Sequence, residues 1–216
     1  MTQIDNLRFN IEVFFLSAGF ADIEKIKYFI VLGSSAVAIF LANSANVAST
    51  SFSREGKAFY CLKAMPIKND TIVFVKFIHA FLYTIVAFVI VAVPLVLAEN
   101  YLGLPFSITE NLYMLFAVLV IEIVVSLLLI FIDMFLDTVR PKLDWENPIA
   151  AFKRNFNTFL SVLITIGVIV VFLILGIAVL PKNNFGLIII TVLFLVIAAP
   201  LGSCYWKYAV KKIDRM

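Results

Sequence analysis

Five uninterrupted apolar runs constrain this chain more than anything else in it: Tyr28 to Ser49, Ile72 to Ala98, Leu112 to Leu136, Phe159 to Leu180 and Leu187 to Tyr205. Each reaches the roughly 20 residues that a 30 Å hydrocarbon layer demands at about 1.5 Å per residue. Backbone in lipid must satisfy its own hydrogen bonds, which leaves helices or closed barrels. Barrel strands alternate apolar and polar residues, whereas Ile121 to Ile132 is apolar on nearly every side. The expected fold is therefore an all-α integral membrane protein, a bundle of about five transmembrane helices with amphipathic interfacial helices. A water-soluble globule is excluded, because 63% hydrophobic and 14% charged residues leave too little polar surface. The expected division is an amphipathic outer-surface segment over 1–25 and a transmembrane domain over 26–216, with loops at 50–71 and 137–158 on one side.

Orientation follows from where the cations sit, since topology obeys the placement of Lys and Arg and not their total. Arg54, Lys57, Lys63 and Lys68 lie between the first two runs, and Arg140, Lys142, Lys153 and Arg154 between the third and fourth. Lys207, Lys211, Lys212 and Arg215 follow the fifth. The alternate connections are poor in cations: 99–111 has two acids and no base, and the turn at Pro181 to Asn184 has only Lys182. This predicts a cytoplasmic carboxyl terminus, with Tyr205, Trp206 and Tyr208 in an inner aromatic belt. An odd number of spans then puts the amino terminus outside, although no removable leader is legible in the first twenty residues. Ile4, Leu7, Ile11, Phe14, Phe15 and Ala18 recur at helical spacing, which predicts a helix on the outer surface. The orientation is the one expected if preceding spans of a longer protein set it.

Both cation-rich connections read as structured. Phe52, Phe59, Leu62 and Met65 recur at near-helical spacing opposite Arg54, Lys57 and Lys63, predicting a short amphipathic helix along the membrane face, ended by Pro66. In the second, Asn147 and Pro148 mark a helix start, with Ile149, Phe152 and Phe156 opposite Lys153 and Arg154. Asn69, Asp70 and Thr71 read as the cap of the second span.

Ser53-Arg54-Glu55-Gly56-Lys57 and Leu62-Lys63-Ala64-Met65-Pro66-Ile67 resemble the first cytoplasmic loop of bacterial ABC-2-type export permeases. Asp137, Arg140-Pro141-Lys142-Leu143, Asp144-Trp145, Asn147-Pro148 and Ala151-Phe152-Lys153 are similar to a connection in the carboxyl-terminal half of ABC exporter membrane subunits. The likeness covers residues 28–216. It implies a separate ATP-binding-cassette ATPase, carrying the ATP and magnesium, that docks on the cytoplasmic face. It also implies a second permease half or a second copy of this chain. The coupling candidates are Arg54, Glu55, Lys57 and Lys63 in the first loop, with Arg140, Lys142, Asp144, Trp145 and Lys153 in the second. The other reading of the first helix is a basic surface gripping anionic lipid headgroups. No Gly-x-x-x-x-Gly-Lys-Ser/Thr loop is present, since Gly56-Lys57 is followed by Ala58 and lacks the upstream glycine.

Within the spans Glu122 stands out, about 15 Å into the third run and near mid-bilayer. Ser126, Asp133 and Asp137 follow at offsets of four, eleven and fifteen, within about 60° on one helix face. That stripe reads as a wall of a translocation path, a proton-accepting site or an interhelical hydrogen bond, with Asp133 and Asp137 close enough to the cytoplasm to be hydrated. Ser34, Ala38, Ala42 and Asn46 at intervals of four make the first span a packing helix, and Asn43 or Asn46 is the expected partner of Glu122. His79 reads as an interfacial side chain, and Pro94 and Pro200 as bends. Cys61 and Cys204, the only cysteines, form no metal or disulfide pattern.

The sequence thus predicts a permease subunit of an ABC-2-type exporter in a bacterial cytoplasmic membrane, in contact with membrane lipids. No catalytic residue, bound cofactor, metal or nucleic-acid partner is expected of this chain. The rival readings are an ATP-independent ion- or proton-coupled carrier or channel, and a noncatalytic membrane scaffold.

Overall fold

A computed structural model describes residues 23–102, 112–145 and 155–215. The expected surface segment up to residue 22, the connection after 102, the second surface helix from Asn147 and the coupling candidate Lys153 lie outside the described residues. Within them the fold is helical, with α1 (Ile23–Ser44), α2 (Ala58–Ala64), α3 (Asn69–Leu102), α4 (Leu112–Val139), α5 (Phe156–Ile174) and α6 (Asn184–Arg215). All but α2 are long and apolar enough to cross a membrane.

Helix α1 ends five residues before the expected limit at Ser49. Its last polar residues turn their side chains back onto the backbone: Asn43 donates to the Ile39 carbonyl and Ser44 to that of Leu41. Asn46 adopts a left-handed φ of 53°, which stops the helix. At the far end of the chain α6 runs through Pro200 and on to Arg215, well past the apolar run. It extends because it has something to pack on: Asn69 donates to Asp214 (2.6 Å) and Trp206 to Asp70 (3.0 Å). Asn69 and Asp70 therefore tie two helices together and do not act as the local cap the sequence suggested, although Asp70 still sits favourably in the first turn of α3.

Helices α1 and α4 are the interior pair. Helix α4 packs chiefly on α6 and α1, and α1 also meets α3 and α5. Two buried clusters result. One, including Leu32, Ile39, Val125, Leu129, Phe172 and Ile190, fills the middle of the bundle. The other, including Phe52, Phe59, Val73, Met134, Tyr205 and Ile213, lies at the basic end, where the loops are. Lipid tails are as apolar as these side chains, so close packing and polar contacts, not water exclusion, hold the helices together.

Glycine sets the closest approaches. A side chain at Gly202 of α6 would sit 2.5 Å from the ring of Phe131 on α4, and one at Gly176 would meet Leu32 at 2.6 Å. Gly176 belongs to a π-turn, Leu175–Val179, whose Gly176 carbonyl accepts from the Tyr28 hydroxyl at 2.8 Å. Gly33, in contrast, faces open space. Replacing Gly202 by Val should therefore cost about 1–3 kcal/mol of stability by overpacking, seen as a lower melting temperature in detergent. Gly33→Ala should leave that temperature unchanged or raised.

Candidate functional site

The polar residues of the basic end converge on one carboxyl. Asp137, the third-last residue of α4, is fully buried. Its Oδ2 accepts from the backbone N–H groups of Phe52 (2.6 Å) and Ser53 (3.0 Å). Its Oδ1 accepts from the Ser53 hydroxyl and from Nδ2 of Asn157 at 3.2 Å. The same Asn157 amide donates to the Arg140 carbonyl at 2.9 Å, so α5 is tied to the chain leaving α4. The expectation of a hydrated carboxyl fails here because residues 45–56 fold back over the end of α4 and supply the donors that water would have given.

Ser53 makes the clasp reciprocal. Its hydroxyl accepts from the Lys142 N–H at 2.8 Å and its carbonyl from the Trp145 indole at 2.8 Å. The Trp145 ring lies over Gly56, where a Cβ would approach it to 2.7 Å and where φ is +54°. Only glycine suits both the left-handed backbone and the indole above it. This kink replaces the single expected helix with a 3-10 turn, Ser53–Glu55, followed by α2. Phe52 and Phe59 consequently point into the bundle at 0% exposure, with rings 5.8 Å apart, and do not lie along the membrane face. Leu62 is half-buried, Met65 is exposed, and α2 stops at Ala64, just before Pro66.

The coupling candidates divide accordingly. Arg54 is half-buried and donates to the Val47 carbonyl and the Thr50 hydroxyl. Burial pushes its guanidinium below the ordinary value, opposed by Tyr83 and Asp137, and an arginine so placed stays charged. Glu55 pairs with Lys76 of α3 at 2.6 Å, and Lys76 also donates to the Ser51 carbonyl (2.6 Å) and sits 4.7 Å from the Phe52 ring centre. Lys57, Lys63, Arg140 and Asp144 are exposed, while Lys142 and Trp145 are half-buried. Lys63 also donates to the Asp214 carbonyl at 3.1 Å.

Higher in the bundle the pairings differ from those expected. Asn43 reaches Ser126 at 3.4 Å, not Glu122, and Asn46 bonds locally to the Ser44 carbonyl. Helix ends explain it: Asn43 is already held to the Ile39 carbonyl, which fixes its amide below the level of Glu122. Glu122 and Asp133 are buried, and both Glu122 oxygens and Asp133 Oδ1 have no hydrogen-bond partner. Asp133 faces Ser161 of α5. His79 is exposed and stacks on Tyr83.

Sequence reasoning missed Ser53 as a hub, Lys76 as the cation under the loop, and the buried Asn157, Ser161 and Thr165 of α5. The last three recur every four residues in an otherwise apolar span, a signal that hydropathy averaging conceals. Among the described residues no group of three His, Cys, Asp or Glu is placed to hold a metal.

Compared with known proteins, the chain matches no family model, no curated protein and no solved structure. Fold and site together define a multi-pass α-helical membrane protein in which the loop at 45–57 and the chain at 140–145 are clasped onto the end of a transmembrane helix.

Asp137→Ala should strip acceptors from two buried N–H groups and cost about 2–6 kcal/mol, at roughly 1–3 kcal/mol for each donor left unpaired. The check is limited proteolysis in open membrane fragments, where cleavage at Arg54 and Lys57 should speed up while the spans stay protected.

Proposed function

We propose that this chain is the transmembrane subunit, or half-subunit, of an ABC-2-type exporter in a bacterial cytoplasmic membrane. In this reading it couples ATP hydrolysis by a separate ATPase subunit to export. The observation that carries it is the closure of the two loops on each other. The residues of the first loop that resemble the permease family, Ser53 to Lys57, and those of the second, Lys142 to Trp145, bond directly through Ser53 and pack at Gly56. Two loops far apart in sequence that share both a family likeness and a common hinge point support one joint task on the cytoplasmic face.

A docking ATPase delivers force through its contacts, and that force moves a span only where the loop is rigidly attached to it. Here Asp137 fixes the loop to α4, Lys76 fixes it to α3, and Phe52 and Phe59 anchor it in the core. Arg54 and Glu55 hold the loop in shape, while Lys57 and Lys63 present cations outward as the contact surface. In this reading the cations of the assembly, by the positive-inside rule, face the cytoplasm. A further permease half or a second copy of the chain completes the membrane unit.

Co-expression with ATP-binding-cassette ATPases of the same genome should yield a complex that co-purifies and hydrolyses ATP. Lys57→Glu with Lys63→Glu should lower that hydrolysis by about tenfold or more, equivalent to roughly 1.4 kcal/mol of contact energy, with little change in melting temperature. Failure of any ATPase to co-purify, or full hydrolysis with both charges reversed, contradicts the proposal.

A further inference from the structure

Glu122 has 0% exposure and no hydrogen-bond partner on either oxygen. It lies about 15 Å along α4, at mid-bilayer depth. Among the described residues no opposite charge approaches from the packed helices. Helix α1 carries no titratable residue after Tyr28, α3 none between Tyr83 and Glu99, α5 none at all, and α6 none before Cys204. A bare carboxylate in such surroundings costs several kcal/mol. Ionisable groups kept inside a membrane at that cost mark ion and proton pathways.

A file of oxygens leads from Glu122 to the basic end. One turn below it is Ser126, which receives Asn43. Helices α4 and α5 run antiparallel with Asn157 bonded to Asp137, so Ser161 and Thr165, one and two turns along α5, climb past Asp133 towards Ser126. The Ser161 and Thr165 hydroxyls and Asp133 Oδ1 are likewise buried without partners. Along each helix the steps from Glu122 to Ser126 and from Thr165 to Ser161 are one helical turn, roughly 6 Å, a gap that one bridging water spans, and Ser161 faces Asp133 across the two helices. Above Glu122 the same face of α4 continues as the apolar Val118 and Met114, both buried, so the polar groups of the file lie only on the side of the basic end. At the lower end Asp133 is next to Asp137, around which Arg54, Lys76 and Tyr205 gather from the loop, α3 and α6.

We propose that Glu122 is a proton-binding site in the middle of the membrane, filled and emptied from the basic end through Asp133 and the hydroxyls of Ser161, Thr165 and Ser126. Filling adds one proton to the carboxylate and neutralises it, and emptying returns that proton along the same file, with no electron transfer and no co-reactant. The site stands independently of the ATPase reading, because nothing in it uses the outward cations or a docked partner.

Dicyclohexylcarbodiimide tests this, since it modifies membrane-buried carboxyls only when they are protonated. The full chain is reconstituted in phosphatidylcholine–phosphatidylglycerol vesicles, treated with the reagent, and the adducts are located by mass spectrometry. Glu122 should be labelled near pH 6, at a rate that falls by about tenfold per pH unit once the site empties. Glu122→Gln should remove the adduct, and Asp133→Asn should delay by about tenfold or more the loss of labelling after a jump to about pH 9. Absence of a Glu122 adduct in the wild-type protein, or labelling that ignores pH, overturns the site without recourse to any variant. An unchanged delay in Asp133→Asn overturns the route.

Discussion

Asp137 takes the backbone of a loop 85 positions earlier in the chain and fastens it to the end of a transmembrane helix. In a bilayer this interaction has unusual leverage. The hydrophobic effect puts the five helices into lipid but does not choose how they sit against one another, because lipid and leucine are equivalent neighbours. A carboxyl surrounded by four donors is not equivalent to anything lipid offers. The position of the loop, the burial of Phe52 and Phe59, the tie to α5 through Asn157 and the seat of Trp145 on Gly56 all follow from satisfying that one group. Lys76 completes the arrangement from the opposite side, holding the same loop by the Ser51 carbonyl and Glu55.

The bundle has a cross-linked end and a middle whose carboxyls are unmatched. At the basic end hydrogen bonds through Asp137, Ser53 and Lys76 cross-link the loop to three other segments, which makes it a stiff joint even though Ser51 Oγ and Glu55 Oε2 are buried without partners. In the middle, the oxygens of Glu122, Asp133, Ser161 and Thr165 are buried and unmatched. Stiffness at one end suits transmission of force, and unmatched oxygens in the middle suit a small ionic occupant. Both fit a protein of transport, and the two regions share α4 as their common support.

The helices were legible in the amino-acid sequence because an apolar run of some twenty residues has few other solutions in lipid. Their ends were less so. Ser49 falls within the apolar run, yet the helix stops at Ser44 because Asn43, Ser44 and Asn46 compete for the backbone, an effect invisible to hydropathy. The extension of α6 to Arg215 depends on Asn69 and Asp70, more than a hundred residues away. The stripe from Glu122 to Asp137 was legible from helical periodicity, and its burial confirms that it faces protein. The choice of partners was not legible: Asn43 prefers Ser126, and Ser53 reaches Asp137, because side-chain reach and depth are set only once the helices pack. The amphipathic reading of residues 52–65 failed at Gly56, where a positive φ breaks the periodicity on which it relied.

The central claim is that the loop bearing Phe52 and Ser53 is part of the rigid bundle and not a surface tether. Amide hydrogen exchange of the protein in lipid nanodiscs measures this directly. The Phe52 and Ser53 amides should exchange as slowly as those in the middle of α4, and Asp137→Asn should accelerate them selectively. Exchange of these two amides at the rate of an open loop in the unaltered protein would contradict it.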